Sequence, residues 1–259
     1  MIKLLTIIFF ILLIFIIILV FFKNSCKTEK LITCVMITNN DPYREKMLQL
    51  SINNFREQSY KKKHLVILNH GPRIQNIDKM FNITQIHINK MENTLGDIRN
   101  MAFEYVPYDG LFCVWDDDDY RRKDFLSTMY DQLIKNDAKC VCFTNRLEYN
   151  INTNFGWQTY WGNGFVHVLA TKNNKIKYLS KNTMEDVNLI NDMKKIYKVY
   201  TFNNDPTLYL RIVHNTNTSL YANATKETIL NTNVSHWKEF ILTKKHYDYI
   251  ESEYIQKIT

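Results

Sequence analysis

Between residues 31 and 214 the chain alternates between two hydrophobic periods. Leu31 to Thr38 is a run of apolar and β-branched residues that predicts a strand. Pro42 then opens a helix to about Ser59, with an apolar stripe at Met47, Leu48, Leu50 or Ser51, Ile52 and Phe55. His64 to Leu68 predicts a second strand, stopped by the turn Asn69-His70-Gly71-Pro72. Ile83 to Ile88 and Leu111 to Trp115 read as further strands, with a helix from Leu95 to Val106 between them. Lys123 to Lys135 is helical and Lys139 to Thr144 is a fifth strand. Strands alternating with helices at these spacings predict βαβ units and a mostly parallel sheet. Right-handed crossovers would then put Thr38, Asn69 and Asp116 along one sheet edge.

From Arg146 the texture changes. Tyr149 to Asn163 is rich in Asn, Gly and aromatic residues, and Gly164 to Thr171 reads as another strand. Met184 to Lys195 has helical spacing, followed by strand-like stretches at Lys198 to Phe202 and Leu208 to His214.

The N-terminus follows neither period. Leu4 to Phe22 is apolar except for Thr6, long enough as a helix to cross roughly 30 Å of hydrocarbon. It ends in Phe21-Phe22-Lys23 rather than in the small residues of a cleavage site, so it is expected to be an uncleaved single-span anchor. This gives an anchor over residues 1–23, a polar linker over 24–30, and the body beyond. Lys23, Lys27 and Lys30 follow the span and only Lys3 precedes it, which favours a cytosolic body.

The formal charge is +7; removing residues 1–30 takes away four lysines and one glutamate and leaves +4. That suits anionic substrates or a lipid surface and makes no case for nucleic acid. Lys61-Lys62-Lys63 is the one basic run, read as a solvated loop. Four of the five cysteines, Cys34, Cys113, Cys140 and Cys142, fall in strand-like stretches and are expected to be free thiols, favouring a reducing compartment. Sequons at Asn82, Asn217, Asn223 and Asn233 point the other way, in a chain so rich in Asn that they arise by chance. The side of the membrane stays open.

The candidate chemistry begins with Asp116-Asp117-Asp118-Asp119, fused to the end of an apolar strand. Ligands of open α/β sheets sit at such strand ends, and clustered carboxylates suit Mg²⁺ or Mn²⁺ shared with phosphates. The bland alternative is a solvated acidic turn. A second constellation is Thr183-Met184-Glu185-Asp186. Thr183 and Asp186 have the spacing of a capping box, and either carboxylate would alternatively serve as a general base delivered by a helix start. His214 ends the last strand, where its imidazole would suit Mn²⁺ beside two carboxylates.

The order of these pieces resembles the family 2 glycosyltransferases of the GT-A fold, over roughly Leu31 to Ser219. The carriers are Thr38 at the first strand end, the turn at Asn69, Leu95-Gly96-Asp97-Ile98-Arg99-Asn100, Asp116-x-Asp118-Asp119, the aromatic Gly162-Asn163-Gly164 segment, Glu185-Asp186, and Arg211 with His214. The resemblance implies a Rossmann-like nucleotide-sugar domain, with residues 31–145 binding the donor and 146–259 the acceptor and base. It implies metal-dependent transfer from a nucleoside-diphosphate sugar, a UDP-sugar foremost, to a glycan, lipid or protein hydroxyl with inversion. By position Asp116, Asp118 and His214 would hold the metal. Thr38, Asn69, Arg99 and Asp116 would hold the donor, Asp186 or Glu185 would be the base, and Trp161 and Gly162 would meet the acceptor. Trp157, Tyr160 and Trp161 are open to two readings, acceptor stacking or core. One departure is Asn69-His70, where family members commonly carry acidic residues that read the nucleoside. A catalytically silent, membrane-tethered module that binds sugar or nucleotide is the alternative function. A phosphotransferase or nuclease would want further acidic ligands on other strands.

Overall fold

The computed structural model describes residues 29–77, 80–88, 94–153, 155–215, 217 and 237–238. The predicted anchor lies outside them. Among the described residues no helix is long and apolar enough to cross a membrane. The described residues from Leu31 onward belong to one compact unit.

The first layer follows the predicted βαβ rhythm. Strand β1 (Ile32–Thr38) leads into a 3-10 turn, Pro42–Arg44, and helix α1 (Glu45–Glu57). Strands β2 (Lys63–Asn69) and β3 (Ile83–His87), helix α2 (Leu95–Phe103) and strand β4 (Leu111–Val114) follow. Next come β5 (Tyr120–Arg121), α3 (Phe125–Lys135), β6 (Cys140–Phe143), β7 (Asn145–Asn150), β8 (Phe155–Tyr160) and β9 (Leu169–Thr171). Helix α4 (Glu185–Ile196) and strands β10 (Val199–Phe202), β11 (Tyr209–Val213) and β12 (Trp237–Lys238) complete the order. Seven strands make the main sheet, in the order β10-β6-β9-β4-β1-β2-β3. All pair in parallel except β9, which runs antiparallel to both β4 and β6. Strand β1 lies between β2 and β4, so the strand order reverses there. In α/β sheets that switch point opens a crevice at the carboxyl ends.

The stripe on α1 explains how that crevice is held. Met47, Leu48, Ile52 and Phe55 are buried, and Ser51 rather than Leu50 completes the face. The Ser51 hydroxyl donates to the carbonyl of Asp116 at 2.8 Å and accepts from the indole N–H of Trp115 at 3.1 Å. The helix thereby straps down the first residue of the aspartate run.

A second, five-stranded sheet has the order β12-β8-β7-β11-β5. Its hairpin, β7 with β8, occupies the segment that reads as irregular, because Arg146, Glu148 and Asn150 on β7 and Gly156 and Gln158 on β8 thin out its apolar residues. Trp157 is 1% exposed and stacks with Phe155, so it belongs to the core, whereas Tyr160 and Trp161 are exposed.

Several expectations are corrected in detail. The helix opened by Pro42 begins as a 3-10 turn and stops at Glu57, and the helix from Leu95 ends at Phe103. The strand from Gly164 shrinks to Leu169–Thr171. Gly164 sits at φ +85°, and a Cβ there would lie 2.4 Å from Cys142 Cβ, so this is a turn only glycine fits. Lys63 is not part of a solvated loop. It starts β2, is buried, and donates its ammonium to the carbonyls of Arg56 (3.2 Å) and Gln58. Cys34, Cys113, Cys140 and Cys142 are free and buried.

Candidate active site

Strand β4 hands the chain to the switch point. The Trp115 N–H bonds the Val35 carbonyl at 2.9 Å, after which the chain leaves the sheet with its four aspartates. They are not a solvated turn: Asp117, Asp118 and Asp119 are buried and Asp116 is half-buried. Burying so much like charge is costly unless each group finds a donor or a counter-charge.

Asp116 meets His167 Nε2 at 3.0 Å, Arg121 at 3.6 Å and Arg99 at 3.9 Å. Burial opposes its charge, yet the His167 hydrogen bond and the two arginines outweigh that and hold its carboxyl well below the usual range. Asp117 and Asp118 share Arg44 Nη2, and Asp118 also meets His214 Nε2 at 3.0 Å and the Asn217 amide at 3.3 Å. Asp119 accepts from the Ile212 N–H at 2.9 Å and from the Tyr209 hydroxyl. Burial, with Asp118 and Asp116 alongside, pushes its carboxyl up to about 8. Burial, with Asp118 alongside, likewise pushes Asp117 up to about 7, so the four aspartates facing three arginines carry their full charge only in part.

Carboxyls kept from ionising by burial and by one another suit a cation, which would favour their charged form. Asp116, Asp119 and His167 each bring one ligand atom within 4.8 Å of the others. Carboxylate oxygens with one imidazole form a donor set suited to Mn²⁺ or Mg²⁺. The pattern-based trio is arranged differently. Asp118 and His214 pair with each other, and Asp116 turns toward His167.

The aspartates open on a cleft of about 850 Å³. Its far side carries the start of α4, which is not capped as the sequence suggests. Met184, not Thr183, holds the N-cap position, in a left-handed conformation (φ 62°), and no side chain caps it. Asp186 instead accepts from the N–H of Val187 at 2.7 Å. The two adjacent carboxylates then divide. Glu185 is 3% exposed and pairs with Arg99 Nε at 3.3 Å. Burial raises its pKa against the pull of Arg99. Asp186 is half-buried on the cleft wall, and its second oxygen makes no hydrogen bond to a described residue. The capping box stands on α2, where Thr94 and Asp97 bond reciprocally and present Arg99 one turn later.

The remaining predicted positions are spread around the cleft. Thr38 is buried beside the aspartates, in register with Asn69 on β2. Asn69 is fully buried with its amide held by the turn: its oxygen accepts from the Gly71 N–H at 2.9 Å and its nitrogen donates to the Pro72 carbonyl at 2.7 Å. Trp161, Asn163 and Gly164 line the cleft, and Gly162 lies against the Tyr160 ring. Sequence patterning missed Arg44, Arg121, His167, Tyr209 and the pair Arg146 and Glu148, and it named Arg211 only as part of the family resemblance. An imidazole residue inside a strand-like run is the signal for His167. For Arg44, on an ordinary helix entry, there is none.

A sequence model described as glycosyl transferase family 2 matches residues 33–193. No curated protein matches the sequence. Among solved structures, the S. aureus TarS fragment 1–349 superposes with a TM-score of 0.55 at 12% identity, covering 71% of this chain and 60% of that one. The same fragment in complex with UDP-GlcNAc gives 0.53 at 10% identity, over 87% and 66%. The mannosyltransferase PcManGT from Pyrobaculum calidifontis, in complex with GDP-Man and Mn²⁺, gives 0.55 at 12% identity, over 73% and 59%. The chain therefore spans about six-tenths of the structures it resembles, and at these identities the likeness shows the fold.

Proposed function

The chain belongs to glycosyl transferase family 2, and from that premise we propose that it moves a sugar from a nucleoside-diphosphate donor to an acceptor hydroxyl, with inversion. The observation that carries the reading is the cleft itself. A carboxylate cluster at the switch point faces a second, half-free carboxylate, Asp186, on a helix start.

In this reading the donor lies against the β1 and β4 ends; the TarS fragment and PcManGT, which share the fold, are complexes with UDP-GlcNAc and with GDP-Man and Mn²⁺. Asn69 contributes through the turn it ties rather than through its own amide. Asp116, Asp118 and His214 would hold the metal, with Asp119 and His167 as neighbouring donors. A divalent cation there would supply Lewis-acid neutralisation of the departing diphosphate. Arg99, kept charged between Asp116 and Glu185, places a fixed positive charge beside the donor. Asp186 takes the acceptor proton through its free oxygen, while Glu185 is occupied with Arg99. Trp161 offers a ring for the acceptor's apolar face. We propose also that residues 4–22 tether the enzyme to a membrane, on its cytosolic face.

The test is a screen of UDP- and GDP-sugars for Mn²⁺-dependent hydrolysis by the full chain in detergent. Release of nucleoside diphosphate with one donor class, abolished by chelation, is the expected result. Absence of turnover with every donor and metal would leave the silent sugar-binding module as the better reading.

A further inference from the structure

The second sheet turns one face to the core and the other to the cleft. On β7, Leu147 and Tyr149 pack inward while Arg146 and Glu148 take the alternate positions. On β11, Leu210 and Ile212 pack inward, and Arg211 stands beside Glu148 in parallel register. Glu148 is 1% exposed. One of its oxygens accepts from Arg146 Nε (3.0 Å) and Nη2 (2.7 Å) and from the Thr159 hydroxyl (2.8 Å); the other accepts from Arg211 Nη1 (3.3 Å). The Arg146 guanidinium also sits 4.2 Å from the Phe165 ring centroid, which fixes its plane.

Two guanidiniums therefore share one carboxylate. Their side chains are only 12% and 16% exposed. Arg146 Nη1 and Arg211 Nε and Nη2 make no hydrogen bond to any described residue. A structural ion pair would need one arginine; here a second shares Glu148 and has beyond it only the through-space pull of Asp119 and Asp118, a costly state for a cation held nearly dry. Lys194 lines the same cleft. The pair lies on the sheet whose strand β8 runs on to Trp161, with Arg211 next to Ile212, whose N–H bonds Asp119, so that the two arginines stand between the aspartates and the Trp161 side of the cleft.

From this geometry we infer that Arg146 and Arg211 form a subsite for an anionic oxygen group, phosphate or carboxylate, carried by the acceptor. Guanidinium forks match the planar or tetrahedral oxygens of such groups with two hydrogen bonds each. Glu148 sets the forks in place and keeps the pair from binding free anions too tightly. The inference rests on the transfer reading for calling this ligand an acceptor.

The test measures binding of three probes to the full chain in detergent by calorimetry: a neutral methyl glycoside, its phosphate ester and the corresponding uronate. One anionic probe is expected to bind roughly tenfold more tightly than the neutral one, the size of one charge-assisted contact. The preferred probe identifies phosphate or carboxylate as the source. Arg146→Gln and Arg211→Gln should each erase the preference. Glu148→Gln, which keeps the shape and the Thr159 contact, should enlarge it, and so reads the subsite even if an arginine variant fails to fold. Equal affinity for all three probes, including no binding, overturns the inference. So does a set of variants that weakens nucleoside-diphosphate binding but leaves the preference intact, since the arginines would then serve the donor. Nucleotide-sugar hydrolysis by the wild type judges the transfer reading separately: hydrolysis without anionic preference sinks only the subsite.

Discussion

The two walls of the cleft bury charge in opposite ways. The wall at the β4 end packs four aspartates into a loop and answers them with Arg44, Arg99 and Arg121, each arriving from a different element. The wall on the second sheet uses strand alternation to set Arg146, Glu148 and Arg211 side by side on one pleated face. The first wall gathers carboxyls around few cations and holds two of them only partly ionised, whereas the second gathers two guanidiniums around one carboxylate. A loop clamped by distant arginines can shift its carboxylates when a cation arrives, whereas a row fixed by register offers the same geometry whatever is bound. We read the first as the wall that does chemistry and the second as the wall that selects.

Removing a carboxylate from the first wall should break the comparison most sharply. Asp118→Asn keeps the shape, leaves Arg44 to Asp117, and removes one negative charge from the cluster. Metal-dependent donor turnover should fall by about a thousandfold or more, since the lost charge stabilisation is worth several kcal/mol. A melting curve close to wild type would show that the fold survives; near-normal turnover would remove Asp118 from the site. Next in size is Asp186→Asn, expected to slow transfer by about a hundredfold or more with donor affinity kept, as for a lost general base. Should Glu185→Gln slow transfer while Asp186→Asn does not, the base is the carboxylate beside Arg99 and the role of the free oxygen is misassigned.

The two histidines sharpen the picture of the first wall. His214 pairs with Asp118 and His167 with Asp116, each at 3.0 Å. His214→Ala should weaken Mn²⁺ binding by about 10–100-fold, the usual effect of losing a ligand or its close support. His167→Ala should do less if His167 only orients Asp116. Titrating Mn²⁺ against activity for each variant ranks them, and a larger loss at His167 would move the ion to the Asp116–Asp119–His167 group.

How far the chain could be read from its pattern differs between the walls for a physical reason. The strands that build the switch point are buried on both faces, so β1, β2, β4 and β6 appear as unbroken apolar runs, and the aspartates stand out because they end one. The second sheet has a face in the cleft. Arg146, Glu148 and Asn150 alternate with its core residues, and such a stretch looks like loop. Long-range partners were hidden altogether. Arg44 lies 73 residues from Asp117, and nothing local marks it as a counter-ion. The cap misread at Thr183 shows a local rule overridden, since Met184 takes a left-handed turn that carries Thr183 outside the helix.

The smallest effect concerns stability of the second wall. Burial by itself would raise the pKa of Glu148, but Arg146 and Arg211, with the Thr159 hydroxyl, outweigh it and hold the carboxyl below the ordinary glutamate value of 4.5. A carboxyl depressed on folding contributes its stability in full above the unfolded value, and that share is lost as pH falls through the folded value. The wild type should therefore lose melting temperature on acidification below about pH 5, and the Glu148→Gln curve should be flatter there. At neutral pH the variant should melt lower, because two nearly buried guanidiniums lose their common counter-charge. Thermal melts of both proteins across this range check the difference, in which the other titrating groups cancel. Parallel curves would mean that Glu148 is effectively solvated. The arginine row would then be an ordinary wet surface, with no fixed geometry to set against the aspartate wall.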